Sequence, residues 1–330
     1  MTDLSTLNSM ESVSDFGVLI VGYKRSDSLR SILDVCLNVQ VKRIYIAIDA
    51  PKDSETNAKQ GEIHKQIEDF RRNFKGEINV LQRNRNVGCA AAVLSAVDWL
   101  FESETYGVVI EDDCIPVNDF LKFCTYSFPV IENNSNIWLA CGTQLAPVDP
   151  LQSTDPWLLS NYPLTWGWAT TSKKWSEAKA SILNLNTQHS LVSIIDSSYW
   201  RAGALRALKG YTDVWDTILV LAMLVNQKQA ILPADSLIKN VGNDENATHT
   251  IGSSDWLHRK TGTFKDPVEV PSYSTTVTSW LRKNIFMISF RHIFTTRISK
   301  IRDLFRMNKQ LGPLKNRWDR ANDDRKLIAR

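Results

Sequence analysis

The chain has 330 residues, 43% hydrophobic and 23% charged, enough to bury a large core in one domain or two. That balance excludes a disordered or fibrous chain, and no stretch supplies the long uncharged apolar run of a membrane span. The net charge of +3 conceals a division: from Trp280 onward 14 Lys+Arg face 4 Asp+Glu, a net of +10, which leaves 25 against 32, or −7, for the first 279 residues.

The first 15 residues have neither a basic start nor an apolar core, so no secretory signal is expected. Phe16 to Val21 then reads as a buried strand, broken by the basic turn Gly22-Tyr23-Lys24-Arg25. Ser26 or Asp27 can cap the following helix, whose apolar positions run from Leu29 to Leu37. A second strand, Arg43 to Ile48, ends at Asp49-Ala50-Pro51. An acid at that position either meets a ligand at the carboxyl edge of an open sheet or merely starts a turn. After a polar helical stretch over 53–76, Ile78 to Leu81 is a third strand. The loop Gln82 to Gly88 leads into a small-residue helix, and its Arg83 and Arg85 suit an anionic diphosphate beside a helix N-terminus.

The fourth strand, Val108-Val109-Ile110, runs straight into Glu111-Asp112-Asp113. Unpaired acids at the end of a core strand are costly to desolvate, so they read as ligands of a cation, with solvated turn residues as the alternative. A helix over Asp119 to Ile131 and a strand over Ile137 to Gly142 follow, then a loop from Pro147 to Trp157. Thr165-Trp166-Gly167-Trp168-Ala169-Thr170, with Trp157, Tyr162 and Trp175 nearby, offers either a platform for a sugar ring or ordinary core. Residues 176–210 read as helical. Asp213 and Asp216 flank Val214-Trp215 ahead of the apolar helix Thr217 to Asn226; capping explains one acid and leaves the other free for chemistry. Two extended stretches, 230–233 and 236–238, precede a polar loop that carries His249, a metal ligand or an ordinary surface residue.

From Trp280 the apolar residues recur at helical spacing with Arg and Lys between them. Such a helix either lies on an anionic membrane or docks on the body with a solvated basic face. Nucleic acid is not expected, because no binding module accompanies the basic run. The five cysteines, Cys36, Cys89, Cys114, Cys124 and Cys141, show no CxxC spacing and read as reduced thiols of a cytoplasmic protein.

Four stretches together resemble the inverting glycosyltransferases of the GT-A fold, in particular bacterial relatives of the family that includes N-acetylglucosaminyltransferase I. They are Glu111-Asp112-Asp113, Gly167-Ala169-Thr170 with its Trp168, Trp215-Asp216, and the loop Asn240-Val241-Gly242 to Ala247-Thr248-His249-Thr250. The resemblance covers roughly residues 16–250. It implies an α/β fold with a mostly parallel central sheet flanked by helices, here with a C-terminal basic helical extension. It also implies that Asp113 binds Mn2+ or Mg2+, with His249 reaching the metal or diphosphate, and that Asp112 contacts the ribose or the metal's surroundings. Asp49 would hold the base, helped by the turn from Tyr23 to Arg25, and Asp216 would be the general base, with Asp213 competing for that role.

The expected donor site thus comprises Gly22, Tyr23, Arg25, Asp49, Arg83, Arg85, Asn86, Glu111 and Asp112; the expected acceptor site comprises Trp166, Gly167, Trp168 and Trp215. Residues 1–15 would be a flexible start, 16–146 the donor half, 147–279 the acceptor and base half, and 280–330 a basic tail. The expected activity is metal-dependent, inverting transfer from a nucleotide sugar, a UDP-sugar above all, to a carbohydrate or lipid-linked glycan at the cytoplasmic membrane face. The alternatives are a sugar-phosphate nucleotidyltransferase and a non-catalytic carbohydrate-binding protein.

Overall fold

The computed structural model describes residues 15–147, 155–185, 213–242, 260–286 and 312–328. Its first half alternates strand and helix: β1 (Gly17–Gly22), α1 (Ser26–Asn38), β2 (Arg43–Ile48), α2 (Ser54–Arg71), β3 (Glu77–Gln82), α3 (Cys89–Leu100) and β4 (Tyr106–Glu111). There follow β5 (Cys114–Pro116), α4 (Asn118–Asn133), β6 (Ile137–Cys141), β7 (Trp157–Ser160), β8 (Trp168–Thr171) and α5 (Ser172–Asn184). The last described elements are α6 (Asp216–Val225), β9 (Gln229–Pro233), β10 (Ile238–Asn240), β11 (Ser272–Tyr273), α7 (Thr275–Asn284) and α8 (Gly312–Ile328).

Nine strands form one sheet in the order β11-β7-β9-β6-β8-β4-β1-β2-β3. The β3-β2-β1-β4 half is parallel throughout, whereas β8 runs antiparallel to both of its neighbours, β4 and β6. The sheet is therefore mostly parallel, with β8 reversed at its centre and β7 and β11 reversed at one edge. A separate antiparallel pair joins β5 to β10 and carries the chain after the acidic triplet back toward it.

Alternation along the strands gives each face its own core. Val18 and Ile20 of β1, with Ile44, Ile46, Val108 and Ile110, pack under α1, α2 and α4. Leu19, Tyr45 and Val109 face the other way, beneath α3, α5, α6, α7 and α8. Near-continuous apolar strands follow directly from this two-sided burial. The Ala-rich start of α3, buried from Ala90 to Ala92, has no bulk to hold it off the sheet.

Local details depart from sequence expectation in two places. Neither Ser26 nor Asp27 caps α1; both are helical, the N-cap position is Arg25, and the Ser26 hydroxyl bonds Glu62 instead. The segment Thr165 to Thr170, left open between a sugar platform and core, runs into the central antiparallel strand β8, which is buried throughout.

The tail docks at its far end. Leu314, Trp318 and Ala321 of α8 are buried. Asp98 of α3 accepts hydrogen bonds from the Trp318 indole at 2.8 Å and the Asn322 amide at 2.8 Å, while Arg325 makes a two-pronged pair with Glu102. The most regular part of the basic pattern, 287–306, lies outside the described residues. No helix among the described residues is long and apolar enough to cross a membrane.

Candidate active site

Because β1, β2 and β4 are parallel neighbours, their carboxyl ends open on one side, with Val21 in register with Glu111 and Gly22 with Ile48. A cleft of about 300 Å³ lies there. Gly22, Tyr23, Lys24 and Arg25 after β1, Asp49 and Lys52 after β2, Asn86, Gly88 and Cys89 at the start of α3, and the whole triplet Glu111-Asp112-Asp113 line it. Asp213, beside Gly88, and Gly242, beside Asp113, complete its lining.

The acids differ in what holds them. Asp112 turns back to the β1 loop, where it accepts from the backbone N–H groups of Tyr23 at 2.7 Å and Lys24 at 3.3 Å. Burial pushes its pKa up to about 6, against the pull of those amides. Glu111 accepts from the Trp215 indole at 3.2 Å. Burial, then the charges of Asp113, Asp216 and Asp112, raise its pKa well above the usual carboxylate value. The Asp113 carboxylate accepts from the Cys114 thiol at 3.1 Å, and its backbone oxygen receives the Val241 N–H at 2.8 Å. A side chain at Gly242 would overlap the Asp113 carboxylate, so only glycine lets that strand end come so close.

Asp49 is buried and accepts from the backbone N–H groups of Ala50, Val87 and Gly88 at 3.0 to 3.2 Å. It thereby binds the loop before α3 to the end of β2, while still lining the cleft. Asn86 of that loop donates to the Ala50 carbonyl at 2.7 Å. Burial raises the Asp49 pKa, and the three amides oppose the rise.

Several sequence-predicted residues lie elsewhere. Arg83 is buried and donates to the Ser95 hydroxyl and the Ala321 carbonyl; Arg85 pairs with Asp324 at 2.6 Å. Both arginines therefore hold α8 rather than face the cleft, because the docked helix offers them a carbonyl and a carboxylate. Trp168 and Trp215 are core, with ring centroids 5.8 Å apart, and neither presents a face to an acceptor. Gly167, at φ +64°, is buried against Ile238 and serves close packing rather than ligand approach. Trp166 is partly buried and packs against both core faces. His249 lies outside the described residues.

The two candidate bases also separate. Asp213 accepts from the Cys89 N–H at 2.7 Å and the Ala90 N–H at 3.2 Å and pairs with Arg317 at 3.2 Å. Asp216 opens α6, and one of its oxygens accepts from its neighbour Thr217. Lys52 and Arg317 were not singled out from the sequence; Lys52 could have been, as the first cation after the second strand's acid.

Among the described residues no three His, Cys, Asp or Glu side chains form a ready-made metal shell. The donor set present, Asp113 with Glu111 and Asp112 beside it, suits Mg2+ or Mn2+ held by one or two carboxylates together with ligand phosphates. Burial contributes most to the raised Glu111 pKa and the neighbouring acids add to it; a divalent cation would relieve that added repulsion.

No protein-family model and no curated protein sequence matches the chain. Among solved structures, the mannosyltransferase PcManGT from Pyrobaculum calidifontis, in complex with GDP-Man and Mn2+, is 12% identical with a TM-score of 0.35. That match covers 51% of this chain and 50% of the other, so it spans about half the mannosyltransferase's length. Glucosyl-3-phosphoglycerate synthase from Mycobacterium tuberculosis, in complex with Mn2+, UDP-glucose and phosphoglyceric acid, is 13% identical over 52% of this chain and 62% of its own, with a TM-score of 0.30. HddC from Yersinia pseudotuberculosis, complexed with GMP-PN, is 13% identical over 48% of this chain and 78% of its own, at 0.32.

Proposed function

We propose that the chain is a GT-A type glycosyltransferase that takes a sugar from a nucleotide donor, a UDP-sugar above all, and passes it to a carbohydrate or lipid-linked acceptor. The observation that carries this reading is the meeting, in one cleft at the carboxyl ends of β1, β2 and β4, of the Glu111-Asp112-Asp113 triplet with the β1 loop, Asp49 and Asn86. Ligands of open parallel sheets bind at such a crevice.

In this reading Asp49 and Asn86 shape the end that takes the base, and Asp112 fixes the Tyr23-Lys24 backbone that flanks the ribose. Lys24, Arg25 and Lys52 supply cations for the phosphates, in place of the arginines that hold α8. Asp113 and Glu111 are the residues that would hold Mn2+ or Mg2+. When bound, such an ion stabilises negative charge on the leaving diphosphate.

An attacking hydroxyl must lose its proton, and a positioned carboxylate contributes roughly 10²- to 10⁴-fold. Asp213 is committed to two amides and a guanidinium, so Asp216 is assigned as the base. One base and direct displacement give inversion at the anomeric carbon. The burial of Trp168 and Trp215 weighs against a tryptophan-based carbohydrate-binding module. The basic run before α8 is proposed to meet an anionic membrane surface.

The test is a thermal-shift screen of nucleotide sugars with and without Mn2+, followed by NMR of the product from any donor that stabilises the protein. A metal-dependent rise in melting temperature and an inverted product are expected. No stabilisation by any nucleotide sugar would remove the reading.

A further inference from the structure

We propose that the C-terminal helix α8 braces the wall of the donor cleft, and that its Arg317 is a positioning residue that acts through Asp213. The proposal rests on the donor reading for the name of the ligand, but its geometry stands apart from it. The N-cap of α3 is Gly88, which has no side chain to satisfy the first amides of the helix. Asp213, 124 positions away from Cys89, does so instead, through the Cys89 and Ala90 N–H groups.

Arg317 pairs with the same carboxylate, 3.2 Å from the oxygen that takes the Ala90 N–H, and its guanidinium would come within 3.0 Å of a β-carbon on Gly88. Both Gly88 and Asp213 line the cleft. The position of Arg317 is itself fixed, because α8 is held by Asp98, Glu102, Arg83 and Arg85 over the eight residues that follow it, from Trp318 to Arg325. The tail thus reaches the cleft wall through one side chain.

Two consequences follow for an anionic ligand. Asp213 places a negative charge on the cleft wall, and Arg317 offsets it at close range. Arg317 also keeps the carboxylate directed at the amides, so the first turn of α3, which carries Gly88 and Cys89, stays in place.

The test is hydrogen–deuterium exchange on the full chain, as wild type, Arg317→Ala and Arg317→Lys, without ligand and with UDP or GDP plus Mn2+. Without ligand, exchange over residues 86–92 is expected to be about fivefold faster in Arg317→Ala and close to wild type in Arg317→Lys. Residues 312–328 should exchange at the wild-type rate in both. Unchanged exchange over 86–92, or equal acceleration over 312–328, would overturn the positioning role. With nucleotide and Mn2+, wild-type 86–92 should slow, and Arg317→Ala should need about tenfold more nucleotide for the same slowing. If neither nucleotide slows wild type, the donor reading fails, while the ligand-free comparison still decides the role of Arg317.

Discussion

Gly88→Ala strikes the point where helix, cleft and tail meet. Gly88 has φ +85° and ψ 159°, a region that is essentially closed to residues with a β-carbon, at a cost of about 1–3 kcal/mol. The added methyl would also overlap the Asp213 carboxylate and stand 3.0 Å from the Arg317 guanidinium. Displacing Asp213 removes the capping of the Cys89 and Ala90 amides, about 0.5–2 kcal/mol more. The two effects arise at touching groups and do not simply add, and together they come to on the order of 2–4 kcal/mol. Urea unfolding followed by tryptophan fluorescence should show a lower midpoint with an unchanged slope. A loss below about 0.5 kcal/mol would refute the claim that Asp213 is seated on Gly88.

Asp98→Ala should cost about 3–5 kcal/mol, since it strands the Trp175 and Trp318 indoles, the Asn322 amide and the Lys179 ammonium; protection of residues 312–328 in hydrogen exchange would collapse first. Wild-type exchange there would contradict the docking of α8. Asp112 holds its proton more tightly folded than unfolded, at about 6 against 3.8, so its contribution is present below about pH 4 and lost as the pH rises through 6. The ligand-free protein should therefore lose stability between pH 5 and 7.5 by on the order of 1 kcal/mol relative to Asp112→Asn, read from urea midpoints; parallel pH profiles would disprove it. Replacing Arg297, Lys300, Arg302 and Arg306 with Gln should release the protein from phosphatidylserine vesicles in a sedimentation assay, whereas binding equal to wild type removes the membrane proposal. Deleting the whole tail would not test this cleanly, because Leu314, Trp318 and Ala321 belong to the core.

The parallel half of the sheet was legible because strands buried on both faces must be apolar at every position, and Val108-Val109-Ile110 is. Glu111, Asp112, Asp113 and Asp49 stood out for the complementary reason, as acids at the ends of such strands. What stayed hidden depends on partners far away in the chain. Arg83 and Arg85 stand beside a helix N-terminus, as phosphate ligands would, yet their partners are in a helix more than 200 residues later. Asp213 gives no local sign that it caps α3, because the helix it caps begins at Cys89. Trp168 alternates in no recognisable pattern, since β8 is a four-residue strand buried on both sides between β4 and β6.

The most direct measurement is calorimetric titration of UDP and GDP into wild type and Asp113→Ala, each with Mn2+ and with EDTA. The account predicts that at least one nucleotide binds wild type with Mn2+, and that either EDTA or Asp113→Ala weakens its binding at least tenfold. Equal affinity in all four conditions, or no binding to wild type in any, would contradict it.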